Sequence, residues 1–278
     1  MSADPAPRPA ARLVALTRPV SASIGRCELT HLERRPIDVE RARFQHRVYE
    51  ERLRRLGCDV VALPTADELP DAVFVEDCAV VLDEVAVLTR PGVASRRPEV
   101  AAVEAALTGH RPLSHIAAPG TLDGGDVLHC GRRLFVGVGG RTNVDGLRQL
   151  ADAVAPWQYS VEAVELSRCL HLKTAVTCVG EDTLLLDPRL IEAEPFRSRG
   201  FEVLETDAAE PGAANALEIG GQVLVSAAAP RTAERLRAHG LRVDTVVADE
   251  LAKAEAGLTC CSILFRPGTI RPPAATEP

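Results

Sequence analysis

Apolar runs of four or five residues recur along this chain in pairs, each pair split by two or three polar or glycine residues. Residues 79–82 and 85–89 flank Asp83-Glu84, and 127–130 and 134–138 flank Gly131-Arg132-Arg133. Residues 175–179 and 183–186 flank Gly180-Glu181-Asp182, and 216–219 and 222–226 flank Gly220-Gly221. Turn residues between apolar, partly β-branched runs predict hairpins. The runs lack strict alternation, which predicts strands buried on both faces. An amphipathic stretch follows each hairpin, at 97–107, 143–154, 189–199 and 231–239, and predicts a helix. One more strand closes each unit, at 111–116, 160–166, 202–206 and 242–247. The repeating unit is therefore ββαβ.

A fifth unit is split between the chain ends. Residues 261–265 supply its first strand and 12–17 its second, 39–57 its helix and 59–63 its last strand. The phrase Leu16-Thr17-Arg18-Pro19 repeats Leu88-Thr89-Arg90-Pro91, where another second strand ends. The markers Asp77, Asp126, Lys173, Asn215 and Cys260, one at each unit's entry, lie 49, 47, 42 and 45 residues apart. That period is the mark of a propeller or solenoid, and pairing the two ends would close the ring without a free edge. The expected architecture is α/β: a five-bladed α/β propeller in one domain, residues 12–266, with 1–11 and 267–278 as frayed tails.

Composition narrows the class. A chain of 278 residues with 46% hydrophobic residues can bury a substantial core. Its net charge of −7, without a clustered basic face, argues against nucleic acid as a partner. No apolar run is long enough to span a membrane, and residues 1–11 lack the apolar core of a signal peptide. A cytoplasmic protein, monomer or homodimer, acting on a small molecule without a cofactor is expected. The eight cysteines show no paired spacing, so all but Cys260 read as small buried hydrophobes.

The reactive residues stand at the entries of the repeats. A cysteine is most often just buried, and a histidine between leucines is most often structural. Cys260 in Leu258-Thr-Cys-Cys261 and His171 in Leu170-His-Leu-Lys173, however, hold equivalent positions in two units. Brought together, they would supply a nucleophile and a general acid–base, which a carboxylate orients. Asp123 and Asp126 in Leu122-Asp-Gly-Gly-Asp126 are candidates for that carboxylate. Glu76 and Asp77 interrupt an otherwise apolar stretch that contains no Lys or Arg. Buried charge needs a partner, so a cationic ligand is expected, and a guanidinium fits. Gly137-Val-Gly-Gly140 is misplaced for a dinucleotide loop. Cys27-x-x-x-His31 and Cys169-x-His171 lack the paired ligands of a structural zinc site.

Several segments together resemble the dimethylarginine dimethylaminohydrolase family. They are residues 69–77 (Leu-Pro-Asp-Ala-Val-Phe-Val-Glu-Asp), Leu88-Thr-Arg-Pro-Gly92 with Ser95-Arg-Arg97, Thr121-Leu-Asp-Gly-Gly-Asp-Val127, Arg141-Thr-Asn143, His171-Leu-Lys173 and Leu258-Thr-Cys-Cys-Ser262. The likeness runs from residue 13 to 265 in order and spacing. It implies a five-bladed propeller that hydrolyses Nω-methylated arginine to citrulline and a methylamine through a covalent cysteine intermediate. It makes Cys260 the nucleophile, His171 the acid–base and Asp123 its carboxylate. It places Asp71, Glu76 and Asp77 at the guanidinium, Arg96 and Arg141 at the α-carboxylate, and the backbones of Leu29 and Ala254 at the amino end. Residues 21–30 correspond to the family's lid, where Cys27 is unusual, and Glu255 with Gly257 departs from the commoner Asp-Gly ahead of the cysteine. No metal is implied, although zinc at Cys260 and His171 would inhibit. An arginine deiminase-like hydrolase of free arginine and a non-catalytic guanidino or zinc sensor on the same fold are the alternatives.

Overall fold

The computed structural model describes residues 12–268. The residues expected as tails, apart from Pro267 and Gly268, lie outside this range. β1 (Val14–Thr17) leads through a long loop to α1 (Val39–Arg55), capped by Asp38, whose side chain accepts the Arg41 N–H at 3.0 Å. β2 (Asp59–Ala62) then pairs parallel to β1. The next sheet is β3 (Ala79–Val81) antiparallel to β4 (Ala86–Leu88), then α2 (Val100–Leu107) and β5 (Leu113–His115) parallel to β4. β6 (Val127–Cys130), β7 (Arg133–Val138), α3 (Val144–Val154) and β8 (Ser160–Glu165) repeat the arrangement. So do α4 (Leu172–Ala175), β9 (Val176–Cys178), β10 (Thr183–Leu186), α5 (Glu194–Arg197) and β11 (Glu202–Glu205). β12 (Leu217–Ile219), β13 (Gln222–Ser226), α6 (Pro230–Ala238) and β14 (Arg242–Val246) form the fourth, followed by a short α7 (Asp249–Ala252). β15 (Ile263–Phe265) returns antiparallel to β1 with Val14 opposite Phe265, so the fifth sheet joins both ends of the chain.

Three pairs of sheets touch through their first strands: β15 lies against β3, β6 against β9, and β9 against β12. Burial on both faces holds for the middle strands but not for the last ones: β2, β8 and β11 are largely exposed or half-exposed. The core lies inboard. Leu150 and Val154 of α3, for example, join Leu134 and Val136 of β7 in one buried cluster. Burying such side chains stabilises by about 1.5–3 kcal/mol each.

Two helices differ from the hydrophobic pattern. Residues 189–199 are helical only over Glu194–Arg197, because the buried Asp187 carboxylate accepts both the backbone and guanidinium N–H groups of Arg189 and holds a turn there. Residues 97–107 begin in a 3₁₀ turn, Ala94–Glu99, that contains Pro98 and becomes α-helical only at Val100. The cysteine reading also needs correction. Cys130 and Cys178 are disulfide-bonded, with Cα atoms 6.7 Å apart. They close the first strands of neighbouring sheets and lie 48 residues apart, about one repeat, which was the available signal.

Candidate active site

Short turns precede the first strands and meet one another: Val75–Cys78, Gly124–Asp126, α4 and Thr259–Cys261. The fourth entry joins through Asn215, whose Nδ2 donates to the Lys173 carbonyl at 3.0 Å and to Thr259 Oγ1 at 3.1 Å. The approach is close enough that a Cβ on Gly124 would strike the Glu76 carbonyl oxygen, which explains the glycine in Asp-Gly-Gly-Asp. One small cavity at this junction is lined by Asp71, Asp77, Arg96, Arg141, His171, Ala254 and Cys260, with Glu28 and Glu255 also in its wall. Seven of the ten expected site residues therefore converge there, and Asp123 reaches it through His171.

His171 Nε2 lies 3.0 Å from Asp123 Oδ2 and 3.9 Å from Asp77 Oδ1, all three buried. Burial alone would lower the histidine pKa. The charge of Asp77, the hydrogen bond to Asp123 and the charge of Asp126 outweigh it and push His171 up to about 9. Asp123 is fixed in turn: Oδ1 accepts the Gly92 N–H at 2.8 Å, and the Asp123 N–H donates to Thr142 Oγ1 at 3.1 Å. Asp126 accepts the Leu172 N–H at 3.1 Å and so orients the segment that carries the histidine. Burial, with the negative charges of Glu76 and Asp77, pushes the Cys260 thiol up to about 12, although the Gly257 N–H at 3.4 Å opposes this. The histidine is thus cationic at neutral pH and the cysteine is a thiol. Tyr49 of α1, which no sequence pattern pointed to, braces the loop that carries Cys260 by donating to the Leu258 carbonyl at 2.9 Å and meeting Ser262 Oγ at 2.8 Å.

The acids find cations from distant segments, which corrects the inference that only a ligand could supply them. Asp77 pairs with Arg96 at 2.6 Å, and Glu76 with Lys173 at 2.6 Å. Arg96 also donates to Glu99 at 3.3 and 2.9 Å and to the Phe74 and Asp71 carbonyls at 3.1 and 3.5 Å. Four of its N–H groups thus face protein acceptors, leaving one of the five a guanidinium has. Arg141 is less committed: it donates to Thr30 Oγ1 at 3.1 Å and lies 3.9 Å from Asp123. Glu76 is not in the wall of the catalytic cavity. Its carboxylate accepts from Thr259 Oγ1 at 2.7 Å and borders a separate cavity of about 280 Å³, lined by first-strand residues. Leu29 likewise does not line the site, and its side chain packs against a core cluster.

Comparison with known proteins follows the same lines. The arginine deiminase family model matches residues 65–215. A protein of Streptomyces coelicolor named N(G),N(G)-dimethylarginine dimethylaminohydrolase is 40% identical over 253 residues, 91% of this chain and 96% of that one. The chain belongs to the dimethylarginine dimethylaminohydrolase family. A second bearer of that name, from Pseudomonas aeruginosa, is 33% identical over 82% of this chain and 90% of its own. A solved Pseudomonas dimethylarginine dimethylaminohydrolase, a cysteine-to-serine variant complexed with citrulline, superposes with a TM-score of 0.86 at 31% identity, over 90% of this chain and 98% of that one.

Within this member of the dimethylarginine dimethylaminohydrolase family, the metal-capable cluster among the described residues is Asp77, Asp123 and His171, without Cys260. Those atoms are already mutual partners, and Arg96 and Arg141 stand beside them, so a bound cation would meet two fixed positive charges. No described helix is long and apolar enough to cross a membrane. The cavity itself holds about 20 Å³, room for about one water. It is closed by the loop after β1. The Glu28 N–H donates to both Asp71 oxygens at 3.2 and 3.1 Å, and Ser95 Oγ donates to Glu28 Oε1 at 2.7 Å.

Proposed function

We propose that this chain hydrolyses Nω-methylated L-arginine to L-citrulline and a methylamine, in a site at the axis of a single five-bladed propeller domain, residues 12–266. The observation that carries this reading is the meeting of Cys260, a cationic His171 held by Asp123, and acidic and arginine side chains in one small pocket. A guanidinium entering beside Asp71 and Asp77 offsets the negative field that keeps Cys260 protonated, and the thiol then loses its proton to solvent. The thiolate attacks the guanidinium carbon and forms a C–S bond. His171 gives its proton to the methylated nitrogen, and the C–N bond breaks to release the amine and leave an S-alkylthiouronium. Neutral His171 then takes a proton from water, whose oxygen attacks the same carbon. The C–S bond breaks as the hydroxyl forms the carbonyl, its proton passes to the departing sulfur, the thiol is restored, and citrulline leaves. No cofactor enters. Glu76 acts here on Cys260 through its charge and its bond to Thr259, and the backbone of Ala254, in the pocket wall, faces the substrate's amino end.

Arg141, with the remaining N–H of Arg96, receives the α-carboxylate. Such a charge-assisted contact is worth about 1.5–3 kcal/mol, so agmatine, which lacks the carboxylate, is expected to show kcat/KM at least about tenfold below that of monomethylarginine. Equal turnover of agmatine overturns the assignment. The match to the arginine deiminase model favours free arginine as a second reading. A citrulline assay on arginine, monomethylarginine and asymmetric dimethylarginine separates the two. Zinc at Cys260 and His171 is an inhibitor in this reading. Chelation is expected to leave activity unchanged or raise it, whereas loss of activity or of the fold on chelation would refute that.

A further inference from the structure

The loop that closes the pocket is held by two kinds of contact. Towards the pocket, Glu28 and Thr30 are bound by Asp71, Ser95 and Arg141. Two of those groups, Asp71 and Arg141, are the ones the proposed substrate would occupy. Apart from these, three consecutive backbone N–H groups converge on a single carboxylate. Thr30 donates to both oxygens of Glu255 at 3.0 Å, and His31 and Leu32 each donate to Oε1 at 2.5 Å. Successive backbone N–H groups turned to one side form an anion-binding concavity, and here the protein supplies the anion itself. Glu255 reaches it from a backbone with φ of +60°, a conformation uncommon outside glycine. The side chains of this strained turn also face the catalytic pocket: Ala254, Glu255 and Ala256 line it, and the next residue, Gly257, donates its N–H to Cys260 Sγ.

From this arrangement we infer that Glu255 is a positioning residue, the tether that keeps the loop over the pocket once substrate has taken Asp71 and Arg141 away from it. The inference rests on the proposed function for what occupies the pocket, but the tether exists in the resting protein. Substrate binding exchanges the contacts at Asp71 and Arg141 and leaves those to Glu255 in place. The loop can therefore swing open for entry only when the Glu255 contacts also release, and it recloses without help from the groups engaged with substrate. Retention of the bound substrate depends on that reclosure. The contact joins residues 30–32 to a turn five residues before the nucleophile, so closure and the placement of Cys260 are mechanically linked.

The test pairs amide hydrogen exchange of the resting protein with steady-state kinetics on monomethylarginine. Glu255→Gly removes the carboxylate and relaxes the positive φ, so the turn itself is not strained by the change. Glu255→Gln keeps the length but not the charge. In Glu255→Gly, exchange in a peptide covering residues 28–34 is expected to rise at least about tenfold while the strands stay protected, with Glu255→Gln intermediate. KM is expected to rise about tenfold or more, with kcat changed less than about threefold. Unchanged exchange at residues 28–34 in both variants overturns the tether, as does a fall in kcat with KM untouched. If the wild-type protein turns over no methylated arginine, the proposed function fails, and the exchange measurement alone still decides the tether.

Discussion

Cys260→Ser is expected to lower kcat by about 10⁴-fold or more while leaving the fold intact, because removing a nucleophile from an interdependent set costs nearly the whole advantage of that set. Serine is smaller and does not reach an alkoxide near neutral pH, even with the help a guanidinium lends a thiol. Burial and the pocket's negative charges, which together push the thiol up to about 12, would raise a hydroxyl further. In the wild-type protein, rapid quenching during turnover should trap an adduct on the peptide containing Cys260, heavier by an amidino-substituted amino acid. The resting protein should alkylate slowly at neutral pH, since the cysteine is a thiol there, and faster when a non-reacting guanidinium ligand is bound. Appreciable hydrolysis by the serine variant, or absence of any adduct, would rule out the covalent route.

Asp123→Asn keeps the shape of the site and removes the charge that holds His171, and a loss of about 10³–10⁴ in kcat is expected. The same substitution leaves a mark on stability. His171 has a folded pKa of about 9 against an ordinary value of 6.5, so its proton stabilises the folded state. That contribution is fully present below about 6.5 and is lost as pH rises through 9, and it is on the order of 3 kcal/mol for the whole cluster. Asp126 and Glu99, each pushed up to about 7 by burial, titrate in a lower window. Urea unfolding of the wild-type and variant proteins should therefore show a gap near pH 6 that narrows above about pH 9. A gap that is constant with pH would mean that Asp123 does not carry the imidazolium charge.

What could be read from the residues and what could not divide along sequence distance. The ββαβ units were legible because each depends on local signals: an apolar run, a two- or three-residue turn, an amphipathic helix. Their period also brought out Cys260 and His171, as equivalent positions in two repeats. Partners drawn from separate repeats were invisible. Lys173 meets Glu76 across 97 residues, and Glu255 meets the lid across more than 220. Without those pairings the acids at 76 and 77 read as charges awaiting a ligand, when the protein neutralises both itself. The Cys130–Cys178 bond was missed for the same reason. Helix limits failed where a side chain competed with the backbone, as Asp187 does for the N–H of Arg189.

The sheet that joins β15 to β1 and β2 gives synthesis an order. As the chain is made from its amino end, β1 and β2 come first and wait with one edge bare, while four other sheets can complete themselves from consecutive residues. Cys260, the proposed nucleophile, lies just ahead of the strand that fills the gap. A chain broken off before Thr259 therefore carries an open edge at β1 and lacks the cysteine proposed as nucleophile, so among the described residues the strand that covers the edge follows directly on the proposed reactive residue.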